Sequence, residues 1–182
     1  MKIDFKTVTM MQLRKSPGEY LDRVANDDDV FVVERDGHAR ACLVPVSFLL
    51  PDISGDCIAR ELERLRTAGE SFKLAITEQK ELEIKCHESA AGDSVVISVV
   101  LPHGYPGTAP RIYAMSLVPS HMPSNTPRRR EDGSLLVFGI TSKWDAECHD
   151  AVHALVLARR WLKQYEKWRK TGEWPTGSGA VS

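Results

Sequence analysis

The run Leu50-Pro51-Asp52-Ile53-Ser54-Gly55-Asp56 constrains the fold more than any other feature. Proline, glycine and aspartate cluster there, and neither helical nor strand periodicity continues through it. A break at this point predicts two folded pieces within the 182 residues. They are residues 1–50 and residues 57–175, joined by a linker over 51–56 and followed by a Gly/Ser-containing tail at 176–182.

The first piece reads as strand, helix, helix and a strand pair. Residues 5–9 are β-prone, and a helical pattern begins at Met10 and runs through Leu13. A second helix starts at Ser16, with Pro17 at its first position and Glu19 placed to complete a capping box with Ser16. Tyr20, Leu21 and Val24 form its apolar stripe. After the acidic turn at Asn26-Asp27-Asp28-Asp29, the dipeptide Asp36-Gly37 separates two β-rich runs, a strong hairpin signal. A unit of about 50 residues with one thin hairpin buries little apolar surface by itself, so self-association is expected.

In the second piece, Ile58, Leu62 and Leu65 fall at helical spacing across residues 57–68. Strand-like runs follow at 72–77, 81–87 and 94–101, with a shorter one at 112–117. A loop rich in Pro, Ser and Arg covers 119–130, and a long helical region covers 145–170. Helix, strand meander, loop and helix in that order predict an α+β fold.

Hydrophobic residues at 42% and charged residues at 27% are the balance of a globular protein. The net charge of −1 gives no whole-chain attraction to nucleic acid, so any DNA contact must come from a local patch. No stretch approaches the roughly 20 apolar residues that cross a bilayer. The first twenty residues have no apolar centre of the kind a secretory signal carries, so the expected location is the cytoplasm. Cys42, Cys57, Cys86 and Cys148 are widely spaced without a CxxC pair and are expected to be reduced and mainly buried. His149 and His153 stand at i, i+4 beside Cys148, a spacing compatible with a metal, but no fourth ligand is evident. Neither a metal nor a cofactor is expected.

Thr7-Val8-Thr9-Met10, Leu13-Arg14, Tyr20-Leu21-Asp22-Arg23-Val24, Val32-Val33-Glu34-Arg35-Asp36-Gly37 and Ala41-Cys42-Leu43-Val44-Pro45 resemble, in order and spacing, the Phd/YefM antitoxins. The resemblance implies a homodimer made through residues 1–50. It also implies operator DNA held by the first helix and its flanks, with Lys2, Lys6, Arg14, Lys15 and Arg23 as the contacting cations. The chain departs from that family by continuing into a folded domain rather than a toxin-wrapping tail.

Tyr105-Pro106 with Ala109-Pro110 is similar to the YPxxPP turn of ubiquitin-conjugating enzymes, and His121-Met122-Pro123-Ser124-Asn125 loosely resembles their His-Pro-Asn element. Asp132-Gly133-Ser134-Leu135-Leu136-Val137 stands where that family has its cysteine, and Trp144 follows at the family's spacing. The text Trp161-Leu162-Lys163-Gln164-Tyr165-Glu166-Lys167-Trp168 with Thr171-Gly172-Glu173-Trp174-Pro175 resembles the bacterial branch, found in antiphage and ubiquitin-like conjugation operons. Transfer chemistry in that family needs a thiolate, which is both nucleophile and leaving group. Leu136 supplies neither, so the resemblance implies a degenerate site around Leu136, His121, Asn125 and Trp144 that binds without transferring. An insertion carrying Arg128-Arg129-Arg130 separates Asn125 from Gly133 and offers a cationic grip for an acidic partner. Trp161, Tyr165 and Trp168 are expected in the core or on a docking face. The expected partner is a ubiquitin-like protein, a conjugating enzyme or a toxin. Two alternatives stay open: an atypical conjugating enzyme using Cys148, next to His149, and an antitoxin-type transcriptional autorepressor.

Overall fold

A computed structural model describes residues 5–90, 93–116, 130–137 and 143–175. It divides into two compact units, Met1–Gly55 and Asp56–Ser182. The fold is α+β, and each unit contains helices and one sheet.

The first unit runs β1 (Phe5–Thr9), α1 (Met10–Lys15), α2 (Pro17–Asn26), β2 (Val30–Arg35), β3 (His38–Leu43) and a single turn α3 (Val46–Leu49). β1 pairs in parallel with β2, and β2 pairs antiparallel with β3. Asp36 and Gly37 both hold positive φ, at 55° and 74°, as a tight two-residue hairpin turn requires. Val8, Val24, Phe31 and Val33 are buried together, with Met10, Leu13, Tyr20 and Leu43 against them. Tyr20 meets Phe31 edge-on at 5.2 Å. The opposite sheet face carries Thr7, Val32 and Cys42 in register on three strands, and beside them Phe5, 59% exposed, paired with the buried Val30. Between the pairs Val33–Ala41 and Glu34–Ala39, β3 holds one extra residue, Arg40, a bulge on the open edge.

Two local expectations are corrected here. Ser16 is the N-cap of α2 and Pro17 is its first residue, but Ser16 makes no side-chain cap bond; at φ −142°, ψ 60° it lies outside the usual extended conformation of a cap. The capping box belongs to α1. Thr9 is extended, its Oγ1 accepts from the Gln12 amide at 3.2 Å, and Gln12 Oε1 accepts from the Thr9 amide at 2.9 Å. Cys42 is exposed because β3 is an edge strand with the helices on its other face.

The second unit begins with α4 (Gly55–Thr67), so the end of the presumed linker is already helical. The strands β4 (Phe72–Ile76), β5 (Leu82–Ala90), β6 (Asp93–Leu101) and β7 (Arg111–Ser116) form an antiparallel meander in sequence order. α5 (Ala151–Thr171) packs over β5, β6 and β7. Residues 95–101 of β6 are buried on both faces. That includes Ser98, whose Oγ donates to Glu83 Oε1 at 2.5 Å. Arg159 on α5 forks onto Glu70 at 2.6 Å and reaches Glu88 on β5 at 2.7 Å. Gly172 ends α5 at φ 74°, and the chain turns so that Trp174 lies 5.5 Å from Trp161. Among the described residues, no helix is long and apolar enough to cross a membrane.

The last helix starts later than its periodicity predicts, at Ala151 instead of Asp145. Asp145 makes a closed turn of its own. Its Oδ1 accepts from the Glu147 amide at 2.9 Å, its carbonyl accepts from the His149 amide at 2.8 Å, and its own amide donates to His149 Nδ1 at 2.9 Å. Such side-chain bonds compete with helix continuation. Asp150 is the true N-cap, accepting from the His153 amide at 2.8 Å.

Candidate functional site

The first unit presents its candidate DNA-contact cations in two different states. Lys6 on β1 and Arg23 on α2 converge on one carboxylate, Asp29, which enters β2. Lys6 Nζ donates to Asp29 Oδ1 at 2.5 Å, and Arg23 donates to Oδ2 through Nη2 at 2.7 Å and Nε at 3.0 Å. The hydrogen bond from Lys6, then that from Arg23, holds the Asp29 carboxyl below its ordinary pKa. The Arg23 guanidinium also lies 4.8 Å over the Phe31 ring. Arg14 and Lys15, in the last turn of α1, make no ion pair among the described residues. Arg14 borders a groove of about 450 Å³ between α1 and the hairpin turn, together with Met10, Met11 and Arg35. Lys2 lies outside the described residues.

In the second unit, the pieces around the expected transfer site are partly described. His121, Asn125, Arg128 and Arg129 lie outside the described residues. Arg130 is exposed and opens a tight loop: its amide donates to the Ser134 carbonyl at 2.8 Å, and its carbonyl accepts from the Gly133 amide at 3.0 Å. Asp132 Oδ1 accepts from the Ser134 amide at 2.9 Å and from Ser134 Oγ at 2.7 Å, and these bonds lower its pKa. The Leu135 amide donates to the Ile112 carbonyl at 2.6 Å, anchoring the loop to β7. Ser134 and Leu135 are buried, whereas Leu136 is half-buried. A leucine side chain there has no group that attacks a carbonyl or carries an acyl chain.

Trp144 is brought to the Tyr105-Pro106 turn. Its indole N–H donates to the Pro106 carbonyl at 2.6 Å, and its ring lies 5.8 Å from Tyr105. Tyr105 is buried, and desolvation with the nearby Glu61 carboxylate pushes its hydroxyl pKa far up.

Cys148 is exposed in the Asp145 turn, ahead of the N-cap Asp150 and outside the helix. The Asp145 carboxylate first of all, with Glu147 adding to it, raises the Cys148 pKa. His149 spends Nδ1 on the Asp145 amide and stacks on His153 at 4.2 Å and 19°. Stacked parallel rings do not aim their lone pairs at one ion. Among the described residues no group of three or more His, Cys, Asp or Glu is placed to hold a metal. Burial and the His149 ring lower the His153 pKa.

Two functional residues, Asp29 and Glu61, do not stand out in the sequence. Asp29 lies in the acidic turn, and its clue is its position one residue before β2, the strand that pairs with the Lys6 strand. Glu61 sits at i+4 from Cys57 and i−4 from Leu65, on the buried line of α4. Trp161 and Tyr165 are buried and stack at 5.4 Å, with Trp168 beside Tyr165 at 5.8 Å. No protein-family model, curated protein or solved structure matches this chain.

Proposed function

We propose that this chain is a non-catalytic, dimeric binding protein of the cytoplasm. Residues 1–50 pair two copies and contact DNA in the manner of Phd/YefM antitoxins. Residues 57–175 offer a ubiquitin-conjugating-type surface to a ubiquitin-like protein, a conjugating enzyme or a toxin of the same operon. The observation that carries the reading is Leu136. It stands on the loop tied to β7 through Leu135, where the resemblance expects a cysteine. The pKa of Cys148, the next cysteine along the chain, is raised by the neighbouring Asp145 carboxylate, away from the thiolate that transfer needs. The dimer half is supported by the sheet face of Phe5, Val32 and Cys42, which the unit's own core leaves partly uncovered. Arg40, bulged on the edge of β3, disfavours pairing by strand addition and leaves that face as the contact.

The test is a charging assay with an activating enzyme and ubiquitin-like protein from the same operon. The expected result is no reducible adduct on the purified chain, together with its capture by the charged conjugating enzyme or the free ubiquitin-like protein. A thioester on any of the four cysteines overturns the binding-only reading.

A further inference from the structure

We infer that Asp29 is an internal stand-in for a DNA phosphate: it masks Lys6 and Arg23 until a phosphate displaces it. The inference rests on the DNA-binding reading above. The carboxylate is held as a phosphate is, one oxygen by the Lys6 ammonium at 2.5 Å and the other by two nitrogens of the Arg23 guanidinium at 2.7 and 3.0 Å. The two cations come from different elements, β1 and α2, and meet on Asp29. Their side chains are 44% and 36% exposed, against 13% for Asp29, so the cations reach solvent above the anion that occupies them. Arg23 is also held by Phe31, so it stays in place when Asp29 is released.

Two cations on one carboxylate present a net single positive charge, whereas Arg14 and Lys15 present theirs in full. DNA that engages Lys6 and Arg23 must first take them from Asp29, so at native charge these two residues add little to the counterion release that makes binding salt-dependent.

The experiment compares the full-length chain with Asp29→Asn, Lys6→Gln and the double variant. Each is titrated by fluorescence anisotropy against the duplex upstream of its own gene and a scrambled duplex, between 50 and 200 mM salt, and run on a heparin column. Asp29→Asn is expected to bind about tenfold tighter at the low-salt end, to steepen the log–log salt slope by about one to two per subunit, and to elute later from heparin. Lys6→Gln alone is expected to leave the slope nearly unchanged, and in the Asp29→Asn background to remove about half of the gain. A folded Asp29→Asn chain with unchanged or weaker binding overturns the masking. So does a slope loss of about 0.9 in Lys6→Gln alone, a measurement that holds even if Asp29→Asn does not fold. A native chain that binds neither duplex at 50 mM salt removes the DNA reading. In that case heparin still judges the masking: later elution of Asp29→Asn supports it and equal elution overturns it.

Discussion

Glu61 Oε2 accepts the backbone N–H of Ala151 at 2.8 Å, joining the middle of α4 to the first residue of α5. A helix N-terminus leaves its first amides without intrahelical acceptors. Here Asp150 serves the His153 amide and Glu61 serves the Ala151 amide. Both carboxylates favour the positive end of the helix dipole. Arg64 lies 3.4 Å from Asp150 and 3.8 Å from Glu61, balancing the pair. Glu61→Ala leaves a buried amide without its acceptor and is expected to destabilise the second unit by about 2 kcal/mol. Glu61→Gln keeps an acceptor and loses less. Urea unfolding followed by tryptophan fluorescence reads this selectively, because Trp144, Trp161, Trp168 and Trp174 all lie in that unit. Equal midpoints for Glu61→Ala and the native chain refute the role.

The Arg159 fork gives a pH dependence of known sign. The Arg159 hydrogen bond lowers the pKa of Glu70 from its ordinary 4.5. A depressed carboxyl pKa contributes stability that is complete above 4.5 and is lost as pH falls through the folded value. Arg159→Met is therefore expected to cost about 1 kcal/mol at neutral pH, a modest figure because the guanidinium is partly solvated. The gap from the native chain is expected to shrink steadily below pH 4.5. Parallel stability curves for the two proteins across that range count against the pairing.

How much of this was legible follows from what each residue type announces. Alternating and apolar runs announced β4 to β7, and Asp36-Gly37 announced its turn, because these signals are local. The face of α4 was found from Ile58, Leu62 and Leu65. Its buried line, however, is Cys57, Glu61 and Leu65, with Ile58 and Leu62 at the flank. A buried glutamate looks like a solvent residue until the amide it serves, 90 positions away, is known. α5 starts later than the periodicity predicts because the side-chain bonds of Asp145 outweigh the helical pattern around it. The cations of the first unit were all visible, but their sorting was not. Lys6 and Arg23 are held by Asp29, which is a tertiary fact, whereas Arg14 and Lys15 are not.

The four thiols are expected to sort by position. Cys57 and Cys86 are buried, and desolvation first of all pushes Cys86 up to about 11. Cys42 and Cys148 are exposed. Native alkylation followed by mass spectrometry should modify Cys42 and Cys148 and spare the other pair until denaturant is added. Asp145 is the largest influence raising Cys148, so Asp145→Asn is expected to speed alkylation of Cys148 several-fold at pH 8 without changing Cys42. An unchanged Cys148 rate shows that Asp145 does not hold this thiol back.

The dimer proposed for the first unit has one face available to it. Thr7 on β1, Val32 on β2 and Cys42 on β3 form one row across the sheet face away from the Val8–Phe31 core, and Phe5 lies beside that row, paired with the buried Val30 of β2. Phe5 is 59% exposed in the single chain. Burying its ring against a second copy contributes about 2 kcal/mol, a large share for a unit with so small a core of its own. Phe5→Glu puts a charge where that ring is desolvated, in both copies at once, and is expected to yield a monomer at micromolar concentration in sedimentation equilibrium. Arg40→Ala, at the bulged edge, is expected to remain dimeric. The reverse pattern, with Phe5→Glu dimeric and Arg40→Ala altered, transfers the interface from the sheet face to the strand edge.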